Sequence, residues 1–245
     1  MSLALKLMLS PLLVVQAVTT RRRAPLLPEA AGPREGRLGE RRATALRLLI
    51  AGDSSAAGVG VAQQSQALAG HLTRALHRDT ARPVQWALHA RSGLTTQQVH
   101  ALLRAAPLPA ADVAVVVTGV NDVIDQVPSQ RAVQHRAELA DWLLRECGVA
   151  HVVFAPLPPV HRFPLLPQPL RKVMGDDALR HNAAMARWAA TRSDVSHIEI
   201  ALELSIEAMA SDGFHPGEPV YRACGEALAG HIAALRTHIT KETRS

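Results

Sequence analysis

Short apolar runs recur between residues 46 and 200, and stretches with apolar residues at helical spacing separate them. Leu46–Ala51, Val84–Ala90, Asp112–Thr118, His151–Ala155 and Val195–Ile200 read as strands. The clearest is DVAVVVT at 112–118, a β-branched run closed by Gly119. Between the strands, Gln63–Arg78 repeats Leu68, Leu72 and Leu76, and Thr95–Ala105 carries Val99, Leu102 and Leu103 on one face. Pro128–Cys147 has proline in its first turn and Gly148 just beyond its end. Leu170–Arg192 contains helix, and Glu218–Ile239 is the closing helix. Strands alternating with helices imply an α/β fold: a three-layer α/β/α sandwich around a five-stranded parallel sheet. The residues that matter for function then lie just past the carboxyl ends of the strands.

Four polar stretches occupy those positions. Gly52-Asp53-Ser54 follows the first strand, and Arg91-Ser92-Gly93 follows the second. Gly119-Val120-Asn121-Asp122 follows the third, and Asp212-Gly213-Phe214-His215 comes after the fifth. Taken alone, Ser54 could cap a helix, belong to a phosphate-binding loop or act as a nucleophile. The phosphate loop lacks both the GxGxxG spacing and the lysine it would need. Acyl transfer gives every stretch a task. A serine hydroxyl needs a base, which His215 can supply, and Asp212 can accept from the other imidazole nitrogen to fix the tautomer. The Ser54 amide, the Gly93 amide and the Asn121 side chain could converge on a developing oxyanion. Asp53 and Asp122 read as structural, holding their loops by hydrogen bonds.

With these residues in place, the chain resembles the SGNH, or GDSL-type, serine hydrolases. GDSS at 52–55, Gly93, GVND at 119–122 and DGFH at 212–215 represent the four signature blocks in order, across roughly residues 45–235. Serine replaces the leucine that usually follows GDS, and the second block rests on Gly93 alone. The resemblance implies a flavodoxin-like sandwich and hydrolysis of carboxylic esters. It also implies Ser54, Asp212 and His215 as catalytic residues, with the oxyanion held by Ser54, Gly93 and Asn121. No GxSxG is present, so the α/β-hydrolase form of this chemistry is not indicated. Lipid-like esters, lysophospholipids included, lead as substrates. A carbohydrate acetyl-esterase and a catalytically silent binding module on the same fold are the alternatives. The proline-dense loop 157–169 is either an ordinary stiffened connection or an acyl-chain contact through Phe163, Leu165 and Leu166.

No cofactor and no metal are expected, because no histidine pair has HExxH or comparable ligand spacing. Cys147 and Cys224 suggest neither a cluster nor a disulfide framework. The net charge of +6 is local: residues 1–47 hold nine Lys/Arg against three Asp/Glu, and the remainder holds eighteen of each. With one Tyr and three Phe and no basic stripe, the domain 45–245 is not expected to bind nucleic acid. Residues 1–18 form an apolar segment with one lysine, and 19–44 a basic Pro/Gly-rich linker. The apolar run is shorter than the roughly 20 residues a spanning helix needs. Arg21-Arg22-Arg23 just beyond it favours a membrane-associated anchor, contacting lipid through residues 3–23 with the domain on the cytoplasmic side. Export through a signal cleaved after Val15-Gln16-Ala17 is the alternative, and a chain free of membranes the third reading.

Overall fold

The computed structural model describes residues 3–23, 25–202 and 204–242; Met1 and Ser2 of the N-terminal segment, and 243–245 of the expected domain, lie outside them. In chain order the elements are α1 (Leu3–Arg23), β1 (Glu35–Leu38), β2 (Leu46–Gly52), α2 (Ser54–Ala57), α3 (Leu68–Thr80), β3 (Val84–Ala90) and α4 (Thr96–Arg104). They continue as β4 (Val113–Val117), α5 (Val120–Ile124), α6 (Ser129–Glu146), β5 (His151–Phe154), α7 (Leu170–Ala189), β6 (Val195–His197) and α8 (Glu218–Glu242). Strands β2 to β6 are parallel and the sheet order is β1-β3-β2-β4-β5-β6. The chain leaves β2 for β3 on one side and crosses to β4 on the other. That reversal opens a crevice beyond the carboxyl ends of β2 and β4.

The sheet departs from expectation at one edge. Glu35–Leu38, inside the stretch expected to be a linker, forms a sixth strand antiparallel to β3, with Gly36 opposite Trp86. Its four residues, EGRL, carry no apolar alternation, so nothing local announces a strand. The unpaired backbone edge of β3 makes it one, because an exposed ladder of N–H and C=O groups is satisfied by pairing.

Alternate residues of the central strands feed opposite cores. Leu48 and Ile50 of β2 and Val113 and Val115 of β4 pack with α3 and α8, against Leu72, Leu76, Leu228 and Ile232. Leu49 and Ala51, with Ala114 and Val116, face α4, α6 and α7 through Val99, Leu139, Leu143 and Met185. Both faces of each strand are therefore dry, which is why these strands read as unbroken apolar runs. Each of the Leu, Ile, Val and Met side chains contributes about 1.5–3 kcal/mol on burial. Thr95 starts α4 with a capping box, its hydroxyl accepting from the Gln98 amide while the Gln98 side chain accepts from Thr95 N. A third cluster, Val123, Leu157, Val160, Phe163, Leu166, Leu170 and Met174, lies beneath the loops at the carboxyl edge. Leu13 of α1 packs against it. Gln16 secures α1 there, donating to the Gln168 carbonyl at 2.7 Å and accepting from Leu170 N at 3.1 Å.

Candidate active site

Strand β2 ends at Gly52, and Asp53 caps α2, its Oδ1 accepting from Ser55 N at 3.0 Å. Ser54 is thereby the first residue of a helical turn, with its hydroxyl facing the loop before α8. Its Oγ lies 3.1 Å from His215 Nε2. His215 Nδ1 lies 2.5 Å from Asp212 Oδ2, while Asp212 Oδ1 accepts from the Phe214 and His215 amides, each at 2.9 Å. Burial pulls the Asp212 carboxyl upward, but the hydrogen bonds from the His215 ring and from those two amides outweigh it and hold the group below its usual value. An ionised Asp212 accepts from Nδ1–H, which leaves Nε2 free to accept the Ser54 proton.

Two loops face this series. Asn121 sits in α5, and its Nδ2 donates to the Leu94 carbonyl at 3.0 Å and lies 3.5 Å from Asp53 Oδ2. Gly93 adopts φ +80°, and the position a Cβ would take is open space. Asp53 is buried, and desolvation raises its carboxyl to about 7 against the opposing bond from Ser55 N. Beneath the Asn121 turn, fully buried Asp122 accepts from Thr96 N at 3.0 Å and Thr96 Oγ1 at 2.5 Å. The buried Arg136 guanidinium reaches Asp122 at 3.5 Å and donates to the Thr118 carbonyl at 3.3 Å. It fills the space beside Gly119, where a Cβ would come within 2.0 Å of its terminal nitrogen. Burial lowers the Arg136 pKa, and Asp122 and Asp53 oppose that shift.

The structure therefore brings Ser54, Asp212 and His215 into one hydrogen-bonded series, and Asn121 reaches the neighbouring Asp53 and, through the Leu94 carbonyl, the loop that holds Gly93. Of the two readings of loop 157–169, the burial of Phe163 and Leu166 favours the stiffened connection. Each is only 3 % exposed and lies within the third core cluster, with the Phe163 ring edge-on to Phe214 at 5.1 Å. Neither lines an open acyl groove; they support the histidine loop, whose Gly213 carbonyl accepts from Leu165 N at 3.2 Å. Leu165 itself is half-buried. A cavity of about 630 Å³ opens beyond β5 and β6, between α7 and residues 156–162, and none of Ser54, Asn121 or His215 lines it. Sequence reasoning missed Arg136, Glu29 and Arg34. Arg136 does leave a signal, since it shares a helix face with Ala132, Leu139, Ala140 and Leu143, where a charge is out of place. Glu29 and Arg34 leave none. Among the described residues no group of three or more His, Cys, Asp or Glu side chains could hold a metal ion.

A doubly wound sandwich with a Ser–His–Asp series beyond its strand ends is the architecture of a class of serine-dependent hydrolases. Residues 50–223 match the GDSL-like lipase/acylhydrolase family model. The chain belongs to that family. It is similar to the GDSL-like esterase Rv1075c of Mycobacterium tuberculosis, 27% identical over 212 residues that cover 80% of this chain and 64% of that one. The chain thus spans less than two thirds of this curated relative. Among solved structures, the lipase Lip_vut3 from a goat rumen metagenome shares 18% identity at a TM-score of 0.63, covering 77% of this chain and 97% of that one. A carbohydrate esterase family 2 enzyme of Corynascus thermopiles (Myceliophthora fergusii), solved with its carbohydrate binding domain, shares 15% identity at a TM-score of 0.63, over 82% and 69%. At these identities the two structures bear on the fold.

Proposed function

We propose that this protein hydrolyses carboxylic esters through an acyl-Ser54 intermediate. The supporting observation is the series Ser54 Oγ, His215 and Asp212, at 3.1 Å and 2.5 Å, at the carboxyl end of β2. His215 Nε2 takes the Ser54 proton as Oγ attacks the ester carbonyl carbon. The oxyanion is met by the Ser54 and Gly93 amides and by the Asn121 Nδ2–H that turns to it from a long 3.5 Å bond to Asp53 Oδ2, the other hydrogen staying on the Leu94 carbonyl. The intermediate collapses, the ester C–O bond breaks, and the imidazolium gives its proton to the departing alkoxide. Water then attacks acyl-Ser54 with His215 as base, releasing the acid and restoring Ser54.

Lipid-like esters are the substrates this reading favours, because an apolar surface lies close to the site. Helix α1 docks against the cluster that also holds Phe214, and Phe214 packs edge-on to His215 at 5.3 Å. Helix α1 exposes Met8 (80 %), Val14 and Val15 (61 % each), Leu12 and Val18. Among the described residues no helix is long and apolar enough to cross a membrane. We read α1 as lying on a lipid surface through these exposed apolar residues, and the arginine-rich sequence at 21–23 as favouring the anionic cytoplasmic leaflet.

A fluorophosphonate probe tests the reaction. The wild-type protein should be labelled on Ser54, and Ser54→Ala and His215→Ala should each lose turnover to a similar, non-additive extent. An unlabelled wild-type protein would sink the proposal. A series of p-nitrophenyl esters tests the substrate class: turnover rising with chain length supports lipid-like esters, and turnover confined to acetate supports a carbohydrate acetyl-esterase.

A further inference from the structure

Residues 25–34 precede the region matched by the family model, yet they are built into the edge of the site. Ala30 N donates to the Ala57 carbonyl at 3.2 Å, Ala31 N to Ala62 at 2.9 Å, and Gln64 N returns to the Ala31 carbonyl at 2.7 Å. The buried Gln64 side chain donates to the carbonyls of both Ala30 (3.2 Å) and Ala57 (2.9 Å). This lacing ties the segment to the turn after α2 and leaves Glu29 directed at the loop that follows β3.

There Glu29 Oε1 accepts two bonds from one residue, Ser92 N at 2.7 Å and Ser92 Oγ at 2.9 Å. Its other oxygen pairs with Arg34, and Arg34 donates to the Ala90 carbonyl at 2.7 Å. The two residues thus hold the loop at Ala90 and at Ser92, directly ahead of Gly93. Beyond Gly93, the Leu94 carbonyl accepts from Asn121 Nδ2 at 3.0 Å. Gly93 is suspended between the two anchors at φ +80°, a conformation that costs it little and that leaves it free to swing if either anchor is released. Hydrogen bonds to a charged acceptor are the stronger kind, and Glu29 is held below the usual carboxylate range by the Ser92 and Arg34 contacts despite partial burial.

We infer that Glu29, braced by Arg34, is a positioning residue for the oxyanion hole: it fixes Ser92 so that the Gly93 amide points at the substrate carbonyl. The inference rests on the ester hydrolysis proposed above, with Gly93 as an oxyanion donor. An interaction of this kind acts on the transition state and leaves ground-state binding largely alone. Loss of a whole oxyanion donor lowers kcat about 10²–10³-fold. A donor that is loosened but still present loses part of that, on the order of 10-fold.

The test compares Glu29→Ala, Glu29→Gln and wild type on a short p-nitrophenyl ester, with fluorophosphonate labelling of each full-length protein. Glu29→Ala should lower kcat by about 10-fold at nearly constant KM, with Ser54 still labelled to completion but more slowly. Glu29→Gln keeps an acceptor for Ser92 and should recover most of kcat. A boronic acid inhibitor, which mimics the tetrahedral state, should bind Glu29→Ala more weakly in proportion to kcat/KM. Unchanged kcat in Glu29→Ala overturns the inference, as does a loss shared equally by Glu29→Gln or one matched by incomplete labelling, which signals unfolding. An inactive, unlabelled wild type strikes at the esterase reading instead, so the two failures are distinct.

Discussion

Replacing Arg136 by methionine strips the positive charge from a site that contains Asp122 at 0 % exposure. Removing one partner of a buried pair costs about 3–5 kcal/mol, because the remaining charge is left uncompensated. Asp122 would keep its two bonds from Thr96, at 3.0 and 2.5 Å, and the lost contact is a long one at 3.5 Å, so the lower end, about 3 kcal/mol, applies. For a chain of this size each kcal/mol moves Tm by about 2–4 °C, which gives a fall of about 6–12 °C. The loss should also reach catalysis. Arg136 donates to Thr118 O, one residue before the Gly119 turn that carries Asn121, so kcat should drop more than KM rises. Differential scanning fluorimetry and urea unfolding measure the stability, and short-ester kinetics the rate. The decisive control is Arg136→Met combined with Asp122→Asn, which removes both charges and should restore at least half of the lost stability. A Tm drop below about 2 °C for Arg136→Met, equivalent to less than about 1 kcal/mol, or no recovery in the double variant, refutes the view that the guanidinium compensates Asp122.

Asp53 should leave a signature in the pH dependence of stability. Its folded pKa is raised to about 7, whereas an unfolded Asp titrates near 3.9. Between those values the unfolded chain releases a proton that the native state keeps. Stability from this group is therefore complete below about pH 4, declines as pH rises to about 7 and is flat above. Relative to wild type, Asp53→Asn should be more stable at pH 8 than at pH 4, by up to about 4 kcal/mol in urea titrations, and a difference independent of pH contradicts the assignment. For the lipid surface, wild-type protein should float with anionic vesicles at low salt and be released by high salt, and a Met8→Ser, Leu12→Ser, Val15→Ser triple variant should not float. Equal flotation of both, or of neither, removes α1 as a lipid contact.

The Ser54–His215–Asp212 series and its scaffold were legible in the chain for different reasons. Strands such as Val113–Val117 are visible because a strand buried on both faces needs apolar side chains at every position. Ser54, Asn121 and His215 are visible because each follows a strand and belongs to a short motif whose spacing is local. Asp212 and His215 are three residues apart, so one turn brings carboxylate and imidazole together. Phe163 and Leu166 were ambiguous, since an apolar side chain in a proline-rich loop suits a groove and a core equally well.

Arg136 was half legible, as a charge on an apolar helix face, but its partner at Asp122 depends on α6 lying under the α5 turn. Strand β1 exists because β3 presents an edge, and Glu29 matters because the chain before β1 folds across the turn after β3. By itself the sequence determined the layers, the strand ends and the residue types available for acyl transfer, since these follow from periodicity and local spacing. Only the tertiary structure decided which side chains meet. Ser54 and His215 are 161 positions apart and Glu29 and Ser92 are 63, and no local preference encodes a contact whose two halves are joined only when the sheet assembles.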